Sequence, residues 1–146
     1  MHLAFDYVLG RKREEVWKAF DNPDNMKKWQ PTLTAFEPMV GTPGQEGAVS
    51  KLTYREDGRQ IVVMETITIR REPEEYGGTY DSDMATNVIH NRFEPEGPWT
   101  TRWNVTIDFR FRGLWRLLGP VFKGVIARRT RADLERFKIL LESGQL

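Results

Sequence analysis

Apolar positions along this chain repeat first with a period of two and later with a period near 3.6. From His2 to Leu9 they alternate, with Leu3, Phe5, Tyr7 and Leu9 on one side and Ala4, Asp6 and Val8 on the other, which is the mark of a half-buried strand. Arg13 to Phe20 then carries Val16, Trp17 and Phe20 at helical spacing, and Asn22-Pro23-Asp24 supplies an N-cap and a proline at the first helical position for a second short helix through Trp29. Pro31 ends that pair. Alternation returns and predicts strands over Leu33 to Met39, Val49 to Arg55, Gln60 to Arg71, Tyr76 to Ser82, Thr86 to Glu94 and Thr101 to Arg112. Breakers separate them: a Gly41 to Gly47 loop, the hairpin pair Asp57-Gly58, and Pro95-Glu96-Gly97-Pro98 before the last strand. After Leu114 the period lengthens. Phe122, Ile126, Thr130, Leu134, Phe137 and Leu141 fall on one side of a long helix that Gly144 can stop. Gly119 and Pro120 fit its N-cap and first position, leaving Leu114 to Leu118 as a separate segment or a kinked extension. A helix of roughly 22 residues is about 33 Å long, enough to lie across a small domain as its lid.

Strand parity decides which side chains face that lid. On the last strand Trp103, Val105, Ile107, Phe109 and Phe111 alternate with Arg102, Asn104, Thr106, Asp108 and Arg110, so the inner face is plain. On the strand before it, Ile89 and Phe93 point inward and carry Asn87 and Asn91 with them, while His90 and Arg92 point out. Ile61, Val63, Ile67 and Ile69 share a face with Glu65; Leu52 brings Ser50 and Tyr54; Tyr80 shares a face with Tyr76 and Gly78. The interior is therefore rich in polar groups. Buried carboxylates and amides need hydrogen-bonding partners. Either Glu65 pairs with an arginine such as Arg129 and the asparagines bond backbone at strand irregularities, or these groups line a hollow that holds a ligand.

A strand, two short helices, a six-strand meander and a long C-terminal helix resemble the helix-grip fold of the START, birch-pollen-allergen and polyketide-cyclase (SRPBCC) superfamily. The local matches are Arg13-Glu14-Glu15-Val16-Trp17, the run Asp21-Asn22-Pro23-Asp24-Asn25-Met26-Lys27-Lys28-Trp29-Gln30-Pro31, Gly44-Gln45-Glu46-Gly47, Met64-Glu65-Thr66-Ile67 and Asn87 to Phe93. The expected fold is α+β, with a curved antiparallel sheet of about seven strands wrapped round the C-terminal helix. The resemblance implies a cavity between sheet and helix that takes a hydrophobic small molecule such as a lipid, a sterol-like compound or a polyketide. On parity and helix face, its expected lining is Tyr54, Glu65, Tyr80, Asn87, Asn91, Trp103, Phe122, Ile126 and Thr130. Family cyclases and aromatases work through such pocket residues, so Glu65 is the one weak candidate for a catalytic acid or base, since a desolvated carboxyl has its pKa raised.

Composition narrows the chemistry. With 146 residues, 39% hydrophobic, the chain has the size of one domain spanning its whole length. It has no cysteine, which removes disulfides, thiolate metal sites and thiol nucleophiles and suits a reducing cytoplasm. The first residues lack the uninterrupted apolar run of a signal peptide, so a cytoplasmic protein is expected. The only histidines are His2 and His90, one terminal and one outward, so neither a histidine-based triad nor a zinc site is expected, and no cofactor is. A net charge of +1 gives no general attraction for nucleic acid. Charge is uneven, however. Between Arg110 and Lys138 stand nine basic residues against Asp133 and Glu135, and beside them lie Leu114, Trp115, Leu117 and Leu118, the pattern of a segment able to touch an anionic membrane transiently.

Overall fold

A computed structural model describes residues 1–146. The chain runs β1 (His2–Leu9), α1 (Arg13–Asp21), a 3-10 turn (Pro23–Asn25), α2 (Met26–Trp29), β2 (Leu33–Val40), β3 (Val49–Glu56), β4 (Arg59–Arg71), β5 (Glu75–Asp81), β6 (Ala85–Gly97), β7 (Thr100–Phe111), α3 (Trp115–Leu118), a second 3-10 turn (Gly119–Phe122) and α4 (Lys123–Glu142). Seven strands form one antiparallel sheet in the order β1-β7-β6-β5-β4-β3-β2. The first and last strands are thus neighbours, and α1 and α2 carry the chain from one sheet edge to the other. Every later connection is short. At the β3–β4 turn Asp57 and Gly58 both take positive φ, 51° and 76°, as a two-residue hairpin loop requires.

The sheet departs from strict alternation in β4. Ile67 pairs with Gly78 but Ile69 pairs with Gly77, so Thr68 is an extra residue and the parity reverses beyond it. Glycine permits this: a Cβ at Gly78 would lie 2.5 Å from the Thr66 carbonyl oxygen. Ile69 therefore faces away from the interior, against the expectation from parity. Arg70 takes the inner face instead, opposite Tyr76. Its guanidinium donates to Asp21 at 2.6 and 2.9 Å and to the Gly44 carbonyl at 3.0 Å, tying the end of α1 to the loop before β3.

Solid core fills one end of the sheet's concave face. Trp17 of α1 and Phe93 and Trp103 of the sheet are fully buried with Phe137 of α4, and Phe20 and Trp29 close around them. Phe93 and Trp103 stack with an interplanar angle of 13°, and Phe137 sits 5.1 Å from Trp103 and 5.4 Å from Trp29. The position of α4 follows from this cluster. Its C-terminal half buries Leu134, Phe137 and Leu141, and its end is held by Glu142, whose carboxylate accepts from Gly10 N–H and from Lys138 Nζ, each at 2.7 Å. Its N-terminal half is different. Val125 is 40% exposed, and Phe122, in the turn just before the helix and first of the same apolar row, is 45% exposed. The long helix also begins later than expected, because Gly119 is no N-cap: it is buried against the Phe111 ring, which a Cβ there would overlap.

Candidate functional site

Where α4 leaves the aromatic cluster, a cavity of about 920 Å³ opens between helix and sheet. Of its 38 lining residues 22 are hydrophobic, the mixture expected of a small-molecule site rather than of a water channel. Leu52 and Tyr54 of β3, Ile61, Val63 and Glu65 of β4, Tyr76 and Tyr80 of β5, and Ile107, Phe109 and Phe111 of β7 form the curved wall. Ile126, Thr130 and Leu134 of α4 form the opposite one, with Phe122 and Trp115 at the end where the helix begins. Phe122, Val125 and Arg129 line the hollow and are exposed to solvent as well, which marks this end as its entrance.

Register places a polar row across the curved wall. Ser50 pairs with Glu65, Glu65 with Tyr80, and Tyr80 with Asn87, on four successive strands. Glu65 is only 5% exposed, and burial raises its pKa, while the Tyr80 hydroxyl works in the other direction by hydrogen bonding. Burial likewise raises the phenols of Tyr54, Tyr76 and Tyr80, and the charge of Glu65 adds to each. They remain protonated donors at neutral pH. The Tyr54 hydroxyl is committed to Gln30 Oε1 at 2.8 Å. Glu65 has no arginine partner. Arg129 instead reaches out of α4 to Glu56, at 2.8 Å, and to Asp57, spanning the gap between the β3–β4 hairpin and the helix.

Of the nine expected lining residues, Tyr54, Glu65, Tyr80, Asn87, Asn91, Phe122, Ile126 and Thr130 border the cavity and Trp103 does not. Trp103 does face inward, but at the end of the sheet covered by α1 and α2, where aromatic rings leave no space. The two asparagines divide. Asn91 is a structural bracket, accepting from Trp103 Nε1 at 3.1 Å and donating to the Tyr76 carbonyl at 3.2 Å, whereas the buried Oδ1 of Asn87 has no partner. The Thr130 hydroxyl donates to the Ile126 carbonyl at 2.9 Å, so it is satisfied within the helix. Among the lining residues that escaped the parity argument, Asp133 and Trp115 stand out. Asp133, one helical turn beyond Thr130, has its pKa raised by burial although Arg136 bonds it at 2.8 Å; its i+3 spacing from Thr130 was the available signal. Trp115, expected at the surface with its leucine neighbours, turns into the cavity. The histidines lie elsewhere: His2 bonds Asp108, and His90 bonds Glu75 on the outer face.

The whole architecture recurs in known structures. The Zhui aromatase/cyclase from Streptomyces sp. R1128 superposes with a TM-score of 0.78 at 14% identity, over 97% of this chain and 93% of that one. A START superfamily protein from Mycobacterium smegmatis gives 0.72 at 14% identity, over 97% and 94%. The major latex-like protein 151 from Panax ginseng gives 0.75 at 14% identity, over 100% and 97%. At such identities the likeness establishes the helix-grip fold and no activity. No curated protein matches the sequence. No helix is long and apolar enough to cross a membrane. The family model described as polyketide cyclase / dehydrase and lipid transport matches residues 9–142, and on that match, nearly the full length of a helix-grip chain, this protein belongs to that family.

Proposed function

We propose that this protein is a binder of a hydrophobic small molecule, a lipid, a sterol-like compound or a polyketide, held between the sheet and the first half of α4. One observation carries the reading: an apolar row that is solid core beneath Phe137 and Leu141 covers a hollow of about 920 Å³ beneath Phe122, Ile126, Thr130 and Leu134. Binding fits the wall better than turnover does. The three tyrosines stay protonated, Asp133 is engaged by Arg136, and the one partner of Glu65, the Tyr80 phenol, is moved by burial further from the neutral range in which it could exchange protons. Mass spectrometry of small molecules released from the native protein should detect an apolar compound, and an apolar fluorescent dye should bind with stoichiometry near one and be displaced by it. Protein that purifies empty and gives no saturable dye signal would overturn the reading.

A second reading concerns delivery. Leu114, Leu117 and Val121 are each 76% exposed and Leu118 48%, a cluster of apolar side chains beside the cavity entrance. Arg112, Arg116, Lys123 and Arg128 flank it, and no acidic residue occurs between Asp108 and Asp133. An apolar patch within a basic frame fits an anionic lipid surface. On this reading the protein exchanges its ligand while docked there. Co-sedimentation with phosphatidylglycerol vesicles should be strong at low salt, weak with neutral phosphatidylcholine, and lost in the variant Leu117→Glu. Equal partition to both vesicle types would overturn it.

A further inference from the structure

Resting on the reading of the cavity as a small-molecule site, we propose that its ligand is a hydrophobic amine, bound with its protonated nitrogen against Glu65. The cavity wall has an unbalanced charge. Asp21 is paired with Arg70, Glu56 and Asp57 with Arg129, and Asp133 with Arg136. Glu65 is the one wall carboxyl with no basic group within salt-bridge distance, and it is the most deeply placed. The remaining wall cation, Arg59, is six residues away along β4, about 20 Å at the rise of a strand.

A buried carboxylate without a countercharge is costly, and the chain supplies none. A ligand can. An ammonium group offers up to three donors and no acceptor. In register with Glu65, the Tyr80 hydroxyl is its only donor, and on the strand beyond, opposite Tyr80, the buried Oδ1 of Asn87 is an acceptor with no partner. Aromatic walls suit the same guest. Tyr76 and Tyr80, with Phe20 and Trp29 toward the core, line the hollow, and an aromatic ring attracts a desolvated cation brought over its face. The chemistry also excludes. A fatty-acid carboxylate would meet Glu65 as a like charge in a low-dielectric enclosure, and a neutral alcohol would donate a hydrogen bond but leave Glu65 without a countercharge.

The test compares one apolar body with three head groups. Decylamine, decanol and decanoate, each below its aggregation concentration, compete at pH 7 for the bound apolar dye. Net charge on the protein is +1 and the entrance is framed by basic residues, so general electrostatics works against the amine and a preference for it would come from the wall. Decylamine should compete at least tenfold more tightly than decanol, with decanoate weakest. Glu65→Gln should abolish the preference for amine over alcohol while decanol affinity stays within about twofold. Glu37→Gln, at an exposed position of β2 outside the cavity, should retain the preference, which guards against a general effect of removing one negative charge. Equal competition by decylamine and decanol, or tightest binding of decanoate, would overturn the amine assignment and leave the cavity reading standing. Failure of dye and all three probes to bind would overturn the cavity reading and this assignment with it.

Discussion

Replacing Thr130 by leucine tests whether α4 spans a hollow. The side chain faces the cavity, and its hydroxyl only duplicates a bond to the carbonyl of Ile126 within the same helix. Leucine is the better helix former by roughly 0.5 kcal/mol, and an added apolar carbon taken from water is worth up to about 0.8 kcal/mol. With about 920 Å³ to enter, it meets no obstacle. Thr130→Leu should therefore leave stability unchanged or raise it by up to about 1 kcal/mol, near 3 °C in Tm for a chain of this size. Dye affinity should fall as the hollow shrinks. Phe137→Ala, two turns further on, is the contrast. Its ring is fully buried among Phe20, Trp29 and Trp103, and its removal should cost about 3 to 5 kcal/mol, a fall of roughly 10 to 15 °C. Differential scanning calorimetry of both variants, with dye titration of the first, decides. A loss of about 1 to 3 kcal/mol in Thr130→Leu, the signature of overpacking, would refute the division of the helix into a cavity half and a core half.

Glu65 gives a pH-dependent counterpart. Its folded pKa is raised, so the folded state holds the proton longer than the unfolded chain does and loses stability as pH rises from the ordinary glutamate value through the folded one. Ligand-free Glu65→Gln should gain Tm over wild type at pH 8 and little at pH 4; equal gains at both would contradict the unpaired carboxyl. The same variant, given the ligand that co-purifies, should show no lost chemistry, whereas wild-type turnover that falls by about 10² to 10⁴-fold in the variant would identify an enzyme. Glu142 has the opposite sign. Burial works to raise its pKa, but the bonds from Lys138 and Gly10 carry it below the ordinary value, so its contribution is present above that value and lost as pH falls through the folded one. Glu142→Gln should cost roughly 1 to 2 kcal/mol at pH 7 and little at pH 3 by thermal melting. Gly119→Ala should displace the Phe111 ring and destabilise by about 1 to 3 kcal/mol, whereas Gly124→Ala, with open space at its Cβ in α4, should stabilise by up to about 1 kcal/mol. Matching effects at the two glycines would contradict the packing at Phe111.

Most of this fold is legible as alternation, and the misreadings have physical causes. β7 is unambiguous because one face carries Trp103, Val105 and Ile107 and the other Arg102, Asn104 and Asp108. β4 fails beyond Ile67 because its bulge is enabled by Gly77 and Gly78 on a different strand, where two carbonyls come too close for any Cβ. Trp103 shows what parity leaves out. Alternation tells the face a residue takes, not which helices cover that end of the face. The same holds for the C-terminal row, where Phe122, just before α4, to Leu141 keep one period throughout; spacing cannot separate side chains that pack on rings from those that overhang a void. Glu65 was placed correctly by its strand, but its isolation from Arg129 depends on that arginine reaching the tip of the β3–β4 hairpin instead.

That reach of Arg129 has a kinetic side. The guanidinium is 48% exposed and Asp57 79%, so the bridge from helix to hairpin is a surface contact, worth at most about 1 kcal/mol and weakened by salt. It lies across the entrance and touches nothing deep in the hollow. Raising ionic strength should loosen this latch and quicken entry and exit together, so that residence time shortens while the equilibrium constant holds. How long a guest stays would then answer to the ions outside, and how tightly it is held only to the walls within.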